Sequence, residues 1–309
     1  MTAPRELPGL VGLGTAPLGS GPGWQINWGR ADPAESRAVV RAAVEAGVGW
    51  LDTAPFYGWG RAETLVGEAL RELGLRPALL TKCGAVPRDG GMGPDHRAEV
   101  IRADLGASLG RLGVPAVDVL QLHDPDPAYP IEAAWETVCG LIAEGKVAAG
   151  GLSNHAPTVM DRALTVGPVR VVQHQYSLLH RAPEADGVLD WCAAHGAQFL
   201  AWSPLASGFL ADGFELAALE PGDFRRRKRF ADPSRLNLVG LRRDLQALAG
   251  QAGLSMTALA IGWILAKGAR AIIGARTPAE AEAIGTYRPL PPDLAAEAED
   301  IVNHAWQTV

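Results

Sequence analysis

The sequence predicts one α/β domain over residues 1–309, folded as a closed (β/α)8 TIM barrel of parallel strands. Short apolar runs alternate with helical patterns about eight times, and this alternation indicates right-handed parallel crossovers. Repeated strand-helix units in this number favour a closed barrel over an open, doubly wound sheet. The length of 309 residues fits one barrel of roughly 250 residues with insertions.

The elements follow from short apolar runs and from the helical spacing of apolar residues between them. The predicted strands are Leu10–Gly14, Gly49–Asp52, Ala78–Lys82, Val117–His123, Val147–Leu152, Val169–Gln173, Gln198–Trp202 and Ala269–Ile273. Helices are predicted to begin near Pro33, Arg61, Asp95, Pro130, Ala156, Glu184 and Ser255. Two connections are unusually long, Gly19–Gly29 after the first strand and Ser203–Arg235 after the seventh. Both fall on the face where such barrels place active sites.

Composition and charge exclude several classes of protein. A formal net charge of −6 argues against a nucleic-acid binder with a basic face, and apolar stretches such as Leu254–Ala266 are too short to span a bilayer. The three cysteines form no CxxC motif, and Met1–Leu10 does not resemble a signal peptide. We therefore expect a soluble cytoplasmic protein without nucleic-acid or membrane partners.

Four polar side chains fall at or just after the ends of consecutive predicted strands. Asp52 ends the second strand and Tyr57 follows it, Lys82 ends the third strand, and His123 ends the fourth. Because side chains alternate along a strand, the strand-end residues can share the face that points into the barrel. Taken singly, each has an ordinary role as a helix cap, a packing residue, an edge charge or a turn residue. Their joint occurrence favours a catalytic cluster.

These four residue types can donate a proton to a carbonyl group. A phenol with a pKa near 10 is a weak acid, but a neighbouring ammonium lowers that pKa, and a carboxylate holds the ammonium in place. A neutral imidazole can orient the carbonyl oxygen. The set lacks a hydride source, so it requires a nicotinamide cofactor. Because Gly12-Leu13-Gly14 does not continue as GxGxxG, we expect that cofactor along the loops after the seventh and eighth strands.

Several segments along nearly the whole chain resemble the aldo-keto reductase family. They are 52–60 with Glu63 and Gly67, Thr81-Lys82, Leu122-His123, 151–154, 173–176, 202–205 with Gly208, and 274–276. Residues 274–278 and 222–225 are most similar to bacterial general-stress and inositol-operon-type members. The resemblance implies NADP(H)-dependent reduction of a small aldehyde or ketone to an alcohol, without a metal, and we expect a monomer or weak homo-oligomer.

The resemblance also implies a role for each catalytic residue and for those at the nicotinamide end of the cofactor. Tyr57 would be the general acid, Lys82 and Asp52 its tuning pair, and His123 the carbonyl-orienting group. The carboxamide would be held by residues near the ends of the fifth and sixth strands, and a tryptophan would stack on the ring. These residues are Ser153, Asn154, Gln173 and Trp202.

The other implied cofactor-binding residues follow the first, seventh and eighth strands. They are Gly14, Thr15, Ser203, Leu205, Gly208, Arg225, Gly274, Arg276 and Glu280. The backbone around Ser203, Leu205 and Gly208 would bind the pyrophosphate, and Arg276 would meet the 2′-phosphate of NADP(H). Glu280 stands where many relatives carry Gln and would also suit a ribose hydroxyl, so NAD(H) stays open.

The basic run Arg225–Arg229 lies inside the long connection after the seventh strand. A solvated loop is its ordinary interpretation, and composition alone would also allow a nucleic-acid or nuclear-import role. Its position, and the similarity of Asp223-Phe224-Arg225 to a cofactor-covering segment of related reductases, favour a lid. In that interpretation one or two arginines pair with the cofactor phosphates and slow cofactor release.

Other functions remain open. Hydride transfer is reversible, so the same residues fit a sugar or polyol dehydrogenase that works oxidatively. The family also contains cofactor-holding regulatory subunits of ion channels, which makes a sensor a second alternative. A metal-dependent, phosphate-binding barrel is disfavoured because no carboxylates or histidines have ligand spacing. Trp24, Trp28 and Trp59 fall in loops on the active-site face and either wall an apolar substrate pocket or pack there.

Overall fold

The computed structural model describes residues 6–21, 23–88, 91–228 and 237–307. The strands in this part of the chain are β1 Val11–Gly14, β2 Trp50–Asp52, β3 Ala78–Cys83, β4 Ala85–Arg88, β5 Gly91–Pro94, β6 Val117–Leu122, β7 Val147–Ser153, β8 Val171–Gln175, β9 Gln198–Trp202 and β10 Arg270–Gly274. Eight of them close into a parallel barrel in the order β1-β10-β9-β8-β7-β6-β3-β2, which confirms the predicted (β/α)8 fold. The other two, β4 and β5, form an antiparallel hairpin after β3.

Helices surround the barrel. They are α1 Pro33–Glu45, α2 Arg61–Leu73, α3 Ala98–Leu112, α4 Ile131–Ala143, α5 Pro157–Leu164, α6 Ala182–Ala185, α7 Val188–His195, α8 Asn237–Gln251, α9 Met256–Ala266, α10 Pro278–Ala283 and α11 Pro292–Gln307. Polar N-cap residues stabilise the first turns of some of these helices. Asp32 caps α1 by accepting hydrogen bonds from two backbone amides, and Ser255 caps α9. None of the helices described is alone long and apolar enough to cross a membrane, and the pair 238–251 with α9 reaches that length only with an 85° bend.

All eight predicted strands are confirmed to within two residues at each end. The helical segment predicted to begin near Glu184 is present, but Gly187 adopts a left-handed conformation (φ 73°) and divides it into two short helices, α6 and α7. The hairpin of β4 and β5 was not predicted, since its strands are rich in glycine and proline and lack an apolar alternation. Helices α8, α10 and α11 were not predicted either.

Apolar side chains fill the barrel interior below the strand ends. The members of this buried cluster are Leu7, Trp50, Leu80, Val119, Val171, Leu200 and Ile272. Trp50 occupies the space beside Gly12, where an added Cβ atom would lie 2.3 Å from the indole ring. A larger apolar layer lies between the strands and the helices. The interior is a packed core, so polar chemistry is confined to the carboxyl ends of the strands.

The connection after β9, the seventh barrel strand, is unusually long, as predicted. It is described as far as Lys228 and contains two short 3-10 helices, Leu216–Ala218 and Phe224–Arg227. The predicted connection ran to Arg235, and its residues 229–235, including Arg229 of the basic run, lie outside the described residues.

Candidate active site

The carboxyl ends of β2, β3 and β6 bring the predicted catalytic side chains together. Asp52 is the last residue of β2, Lys82 lies in β3, and His123 directly follows β6. These strands are neighbours in the barrel, so the three side chains stand next to one another at its mouth. Tyr57 reaches the same place from the loop after β2.

Lys82 is the centre of this cluster and is fully buried. Its Nζ atom donates hydrogen bonds to Asp52 Oδ1 at 2.6 Å, to the backbone oxygen of Thr53 at 3.0 Å and to Tyr57 Oη at 3.1 Å. An ammonium group has three N–H bonds, and each has an acceptor here. The lysine is therefore held in one orientation, with its charge directed at the phenol oxygen.

Two glutamines hold the second oxygen of Asp52. Gln173 Nε2 donates to Asp52 Oδ2 at 2.9 Å and Gln121 Nε2 does so at 3.3 Å. Sequence reasoning assigned Gln173 to the nicotinamide carboxamide and gave Gln121 no role. The alternation of side chains along the strand places Gln121 on the inner face, and this pattern could have identified it as a neighbour of Asp52.

Burial and charge act in opposite directions on the pKa values of this cluster. Burial raises the pKa of the Tyr57 phenol, and the Lys82 ammonium opposes it; the net pKa lies above the ordinary value. Burial alone would lower the pKa of Lys82, but Asp52 and Tyr57 raise it above its ordinary value. The expected lowering of the Tyr57 pKa is thus outweighed by burial, and the phenol is protonated at neutral pH while the lysine is charged.

His123 stands beside the phenol. Its ring lies edge-on to the Tyr57 ring at 6.1 Å between centroids, and edge-on to Phe56 at 6.2 Å. Burial, with the Lys82 charge, lowers the pKa of His123 well below its ordinary value, so the imidazole is neutral at neutral pH. Its Nδ1 atom is buried and has no hydrogen-bond partner among the described residues. A neutral ring with unused polar capacity is suited to orienting a carbonyl oxygen.

The loop that carries Tyr57 is held by close backbone contact. Gly58, Trp59 and Gly60 all have left-handed backbone conformations, with φ between 54° and 91°. A Cβ atom on Gly58 would lie 2.1 Å from the backbone oxygen of Gly19, so only glycine fits there. The loop after β2 thus rests directly on the segment after β1, which limits the movement of the phenol.

An ion pair with a fully buried carboxylate supports the same loop. Glu63, at the start of α2, is fully buried, accepts a hydrogen bond from Thr81 Oγ1 at 2.6 Å and pairs with Arg111 Nε at 2.7 Å. Thr81 precedes Lys82 in β3, so this carboxylate links the tyrosine loop, the lysine strand and α3. Sequence analysis quoted Glu63 only as part of a motif.

The predicted nicotinamide residues lie on adjacent strand ends. Asn154 Nδ2 donates to Asp124 at 2.7 Å, and its Oδ1 accepts a hydrogen bond from Trp202 Nε1 at 3.0 Å. This chain of hydrogen bonds crosses the barrel mouth from β6 to β9. Ser153, the last residue of β7, is buried beside it. The amide of Asn154 is therefore already fixed by protein partners.

The segment after β9 contacts the segment after β1, and we call residues 23–30 and 220–228 together the clasp. Phe224 N donates to Asn27 O at 2.9 Å, and Arg30 N donates to Glu220 Oε2 at 3.1 Å. The rings of Trp28 and Phe224 meet edge to face at 4.8 Å. The two longest connections of the barrel are thus joined over its mouth.

Arg225 and Asp223 form a buried ion pair in the clasp. The Arg225 guanidinium pairs with Asp223 at 2.5 Å and lies 5.2 Å from the ring centroid of Trp28. Its Nη1 atom is 3.4 Å from the place where a Cβ of Gly208 would stand, which sets it against the turn of Ser203, Leu205 and Gly208. Predicted as a phosphate ligand, Arg225 also has a structural ion pair that the sequence did not indicate.

The predicted adenosine end is more exposed. Arg276 follows β10, and its Nη2 atom is 3.4 Å from the backbone oxygen of Arg30 in the clasp. The Glu280 carboxylate accepts from the Arg276 and Thr277 amides and completes a capping box at the start of α10. Glu280 therefore has a structural role beside its predicted one.

The remaining predicted residues support the strand ends. Thr15 donates from both its amide and its hydroxyl group to the backbone oxygen of Asp52, at 2.9 and 3.1 Å. Gly14 ends β1 opposite Gly274, which ends β10. Within the described part of the chain no group of three or more His, Cys, Asp or Glu side chains could hold a metal ion.

Comparison with known proteins identifies the family. The sequence profile of the Aldo/keto reductase family matches residues 11–303, and the chain belongs to this family. The predicted resemblance is confirmed, and the protein is an oxidoreductase of a family that typically binds a nicotinamide cofactor.

Three relatives illustrate the range of this similarity. The chain is 32% identical over 281 residues to Aldo-keto reductase YhdN of Bacillus subtilis (strain 168), covering 89% of this chain and 83% of that one. It is 32% identical over 277 residues to a probable voltage-gated potassium channel subunit beta of Oryza sativa subsp. japonica, with 82% and 81% covered. The structure of the glycerol dehydrogenase AKR11B4 from Gluconobacter oxydans superposes with a TM-score of 0.85 at 30% identity, over 96% of this chain and 91% of that one.

Proposed function

We propose that the protein reduces an aldehyde or ketone to an alcohol with NADP(H), with Tyr57 as the general acid. The observation that carries this proposal is the chain from Tyr57 Oη to Lys82 Nζ, 3.1 Å, and from Lys82 Nζ to Asp52 Oδ1, 2.6 Å. A phenol, an ammonium and a carboxylate in this order can release a proton and stabilise the charge left behind.

Each residue has a distinct part in the proton transfer. The ordinary pKa of a phenol, near 10, already keeps Tyr57 protonated at neutral pH, and burial raises this pKa further, so the proton is present for transfer. As the proton moves to the carbonyl oxygen, the forming phenolate gains the attraction of the Lys82 ammonium, which Asp52 keeps charged. The neutral His123 ring orients the same oxygen.

Backbone strain supports a bound cofactor on this face. Within the described residues, the non-glycine positions with a left-handed backbone are Trp59, Asn154, Ser203, Ala206 and Ser207, with φ from 48° to 62°. All follow strand ends at the barrel mouth, and backbone conformations of this kind cluster at active sites and ligand-binding segments. A nicotinamide cofactor would supply the hydride.

The residues present fit such a cofactor in three places. Ser153, Asn154, Gln173 and Trp202 would hold and cover the nicotinamide. The strained turn of Ser203, Leu205 and Gly208, with Gly14, Thr15 and Gly274 nearby, would receive the phosphates, together with Arg225. Arg276 would bind the 2′-phosphate, which favours NADP(H), and Glu280 would lie beside the ribose.

The direct test is absorbance at 340 nm with NADPH and then NADH, against a panel of aldehydes, ketones and sugars. We expect steady turnover of at least one carbonyl class and a lower Kd for NADPH than for NADH. Absence of turnover with every carbonyl, while cofactor binds, would contradict the proposal.

Two other functions have support from the relatives. Similarity to a glycerol dehydrogenase favours polyol oxidation, and initial rates in both directions at one pH would reveal it. Similarity to a potassium channel subunit favours a cofactor-holding sensor. Single-turnover and steady-state rates on one aldehyde separate a sensor from an enzyme, because a sensor would complete one slow turnover and then stall.

A further inference from the structure

Two buried histidines beside the active site take no part in the proposed proton transfer. His96 lies between β5 and α3, His155 lies two residues after β7, and each is 1% exposed. Their rings stack, with centroids 6.1 Å apart and planes inclined by 20°. We call these two residues the histidine pair. Because buried polar groups are normally hydrogen-bonded, the contacts of the pair show what it holds together.

His155 is fixed to the residues proposed to hold the nicotinamide. Its ring nitrogen Nδ1 lies 2.7 Å from the backbone oxygen of Ser153. A carbonyl oxygen only accepts, so Nδ1 carries the proton and Nε2 keeps a lone pair. The backbone oxygen of His155 in turn lies 3.1 Å from Nε2 of His174, which is next to Gln173 in β8. His155 therefore holds the turn of Ser153 and Asn154 against the neighbouring strand.

His96 is fixed to the segments that follow β3 and β6. Its backbone amide donates to Oδ2 of Asp126, in the segment after β6, at 3.0 Å. A Cβ atom on Gly84 would lie 2.7 Å from Cδ2 of His96, so the ring packs directly on the backbone two residues after Lys82. Through the stacked rings, the ends of β3 and β6 are joined to the end of β7.

The Nε2 atoms of the histidine pair are buried and have no hydrogen-bond partner among the described residues. The charged and titratable groups that face the pair are Asp95, which is paired with Arg88 and Arg97, Asp126 after β6, and His174 in β8. Burying a charge without a partner costs much free energy. A proton bound at either Nε2 atom would therefore place a cation where no hydrogen bond receives it.

Burial keeps both rings neutral. It lowers the pKa of His155 to about 3 and the pKa of His96 below its ordinary value, although hydrogen bonds and, at His96, the nearby carboxylates oppose it. An exposed histidine has a pKa of about 6.5. The contacts of the pair are thus fully stable above this pH. They lose stability as the pH falls from there towards the lowered values, by about tenfold in the opening equilibrium per histidine and pH unit.

Resting on the function proposed above, we propose that His96 and His155 are positioning residues that hold the ends of β3, β6 and β7 together while both rings are neutral, and that proton uptake by the pair separates these strand ends. The proposed reaction needs Lys82 in β3 and His123 after β6 at fixed distances from Ser153 in β7, since a displacement of about 1 Å can cost roughly 100-fold in rate. The enzyme should therefore lose activity reversibly on mild acidification.

The variants separate the hydrogen-bond donor from the titrating nitrogen. Asparagine places its amide nitrogen where Nδ1 of histidine lies and takes up no proton, so His155→Asn keeps the bond to Ser153. His155→Phe keeps a ring and removes both functions. At about pH 7.5 we expect kcat to fall roughly tenfold in His155→Phe and to stay within about threefold of the wild type in His155→Asn. His195→Asn is the matched control, because Nδ1 of His195 also bonds to a backbone oxygen, that of Trp191, but the residue is exposed at the end of α7.

The pH profile is the measurement that a merely structural role would not change. If opening takes up one proton on each ring, log kcat/KM of the wild type with propanal should fall below about pH 6 with a slope of about two, and should recover on return to about pH 7.5. In His155→Asn and in His96→Asn the slope should be about one, and the midpoint should move to lower pH by at least about half a unit. His195→Asn should follow the wild type.

Hydrogen exchange makes the same comparison without substrate. Exchange of the amides around Gly84 and Ser153, measured by mass spectrometry and corrected for the intrinsic effect of pH, should rise more steeply with acid in the wild type than in the asparagine variants. This measurement also decides the question if His155→Phe does not fold.

Acid limbs of equal slope and midpoint in the wild type and in both asparagine variants would assign the loss to another group, such as His123, and would overturn the proposal. A loss in His155→Phe that is equally large in His155→Asn would also overturn it. A wild type that shows the expected exchange but reduces no carbonyl would instead refute the proposed function. The two failures are therefore distinguishable.

Discussion

The barrel-mouth cluster and the clasp lie on the same face but are held in different ways. In the cluster, Lys82 and Asp52 are fully buried and fixed by bonds between side chains that lie 30 residues apart in the chain. In the clasp, the bonds from Phe224 and Arg30 tie one loop to another, and Arg30 and Glu220 are exposed.

This difference indicates which parts of the barrel mouth are held rigidly and which can open. Strands position Asp52 and Lys82 beside the proposed acid Tyr57, where a small displacement is costly, and loops cover the place where the proposed cofactor would enter and leave. Loops with few buried contacts open at low cost in free energy. Substitutions in the cluster should therefore change chemistry and stability, and substitutions in the clasp should change the rates of cofactor exchange.

The largest effect is expected at Tyr57, the proposed general acid. Tyr57→Phe keeps the ring and removes the hydroxyl group, so kcat should fall by roughly 10²–10⁴-fold or more, while NADPH affinity barely changes. Steady-state kinetics at 340 nm and fluorescence titration measure the two. Tyr129→Phe, in the loop before α4, is the matched control. Near wild-type turnover of Tyr57→Phe would remove Tyr57 from the proton transfer.

The strand ends are the part of the site that the sequence predicts well. Asp52, Lys82 and His123 come from consecutive strands, and the period of two along each strand settles which side chains point inward. Gln121 obeys the same rule and bonds to Asp52, but a neutral amide inside a barrel gives no chemical signal of its own. The hydrogen bond between Gln121 and Asp52 could therefore be identified only from the structure.

The clasp shows why the rest could not be predicted. In the sequence, Arg225 is one of five adjacent basic residues. In the structure it pairs with Asp223 and lies over the ring of Trp28, which is 197 positions earlier in the chain. No periodicity relates two irregular loops, and their contacts depend on φ angles and backbone carbonyls rather than on residue type. The β4–β5 hairpin was not predicted because its strands are rich in glycine and proline and lack an apolar alternation.

The second prediction tests how strongly the cluster is held. Lys82→Met leaves the Asp52 carboxylate buried with only glutamine donors, so the free energy of unfolding should fall by about 3–5 kcal/mol. Urea denaturation measures it. Lys146→Met removes a lysine from an exposed pair with Glu144 and should cost less than about 1 kcal/mol. Equal losses in the two variants would contradict the contrast between buried and exposed pairs.

The third prediction concerns Arg276, where the clasp meets β10. Arg276→Ala should weaken NADPH binding by about 1.5–3 kcal/mol, the range for hydrogen bonds to charged groups, and leave NADH binding nearly unchanged. Isothermal titration calorimetry with each cofactor gives both values. Arg288→Ala, on the exposed segment after α10, is the control. Equal losses for NADPH and NADH would separate Arg276 from the 2′-phosphate.

The smallest effect is expected within the clasp itself. Arg225 is buried against Asp223 and Trp28, with Nη1 turned toward Gly208, whereas Arg226 is exposed and donates to the backbone oxygen of Leu219 in its own segment. Arg225→Ala should remove both a phosphate partner and a support of the loop. We therefore expect the NADPH off-rate to rise roughly tenfold, which corresponds to about 1.4 kcal/mol, with little change in the on-rate.

Arg226→Ala is the matched control for this measurement, and its off-rate should stay within about twofold of the wild type because an exposed contact contributes little. Stopped-flow fluorescence gives both rate constants. Asp223→Asn separates the two roles of Arg225: it keeps the guanidinium but weakens the ion pair that holds it. An off-rate that rises in Arg225→Ala and in Asp223→Asn alike assigns the effect to the folded loop. A rise in Arg225→Ala alone assigns it to a direct phosphate contact, and an unchanged off-rate in Arg225→Ala would make the basic run a solvated loop with no part in cofactor release.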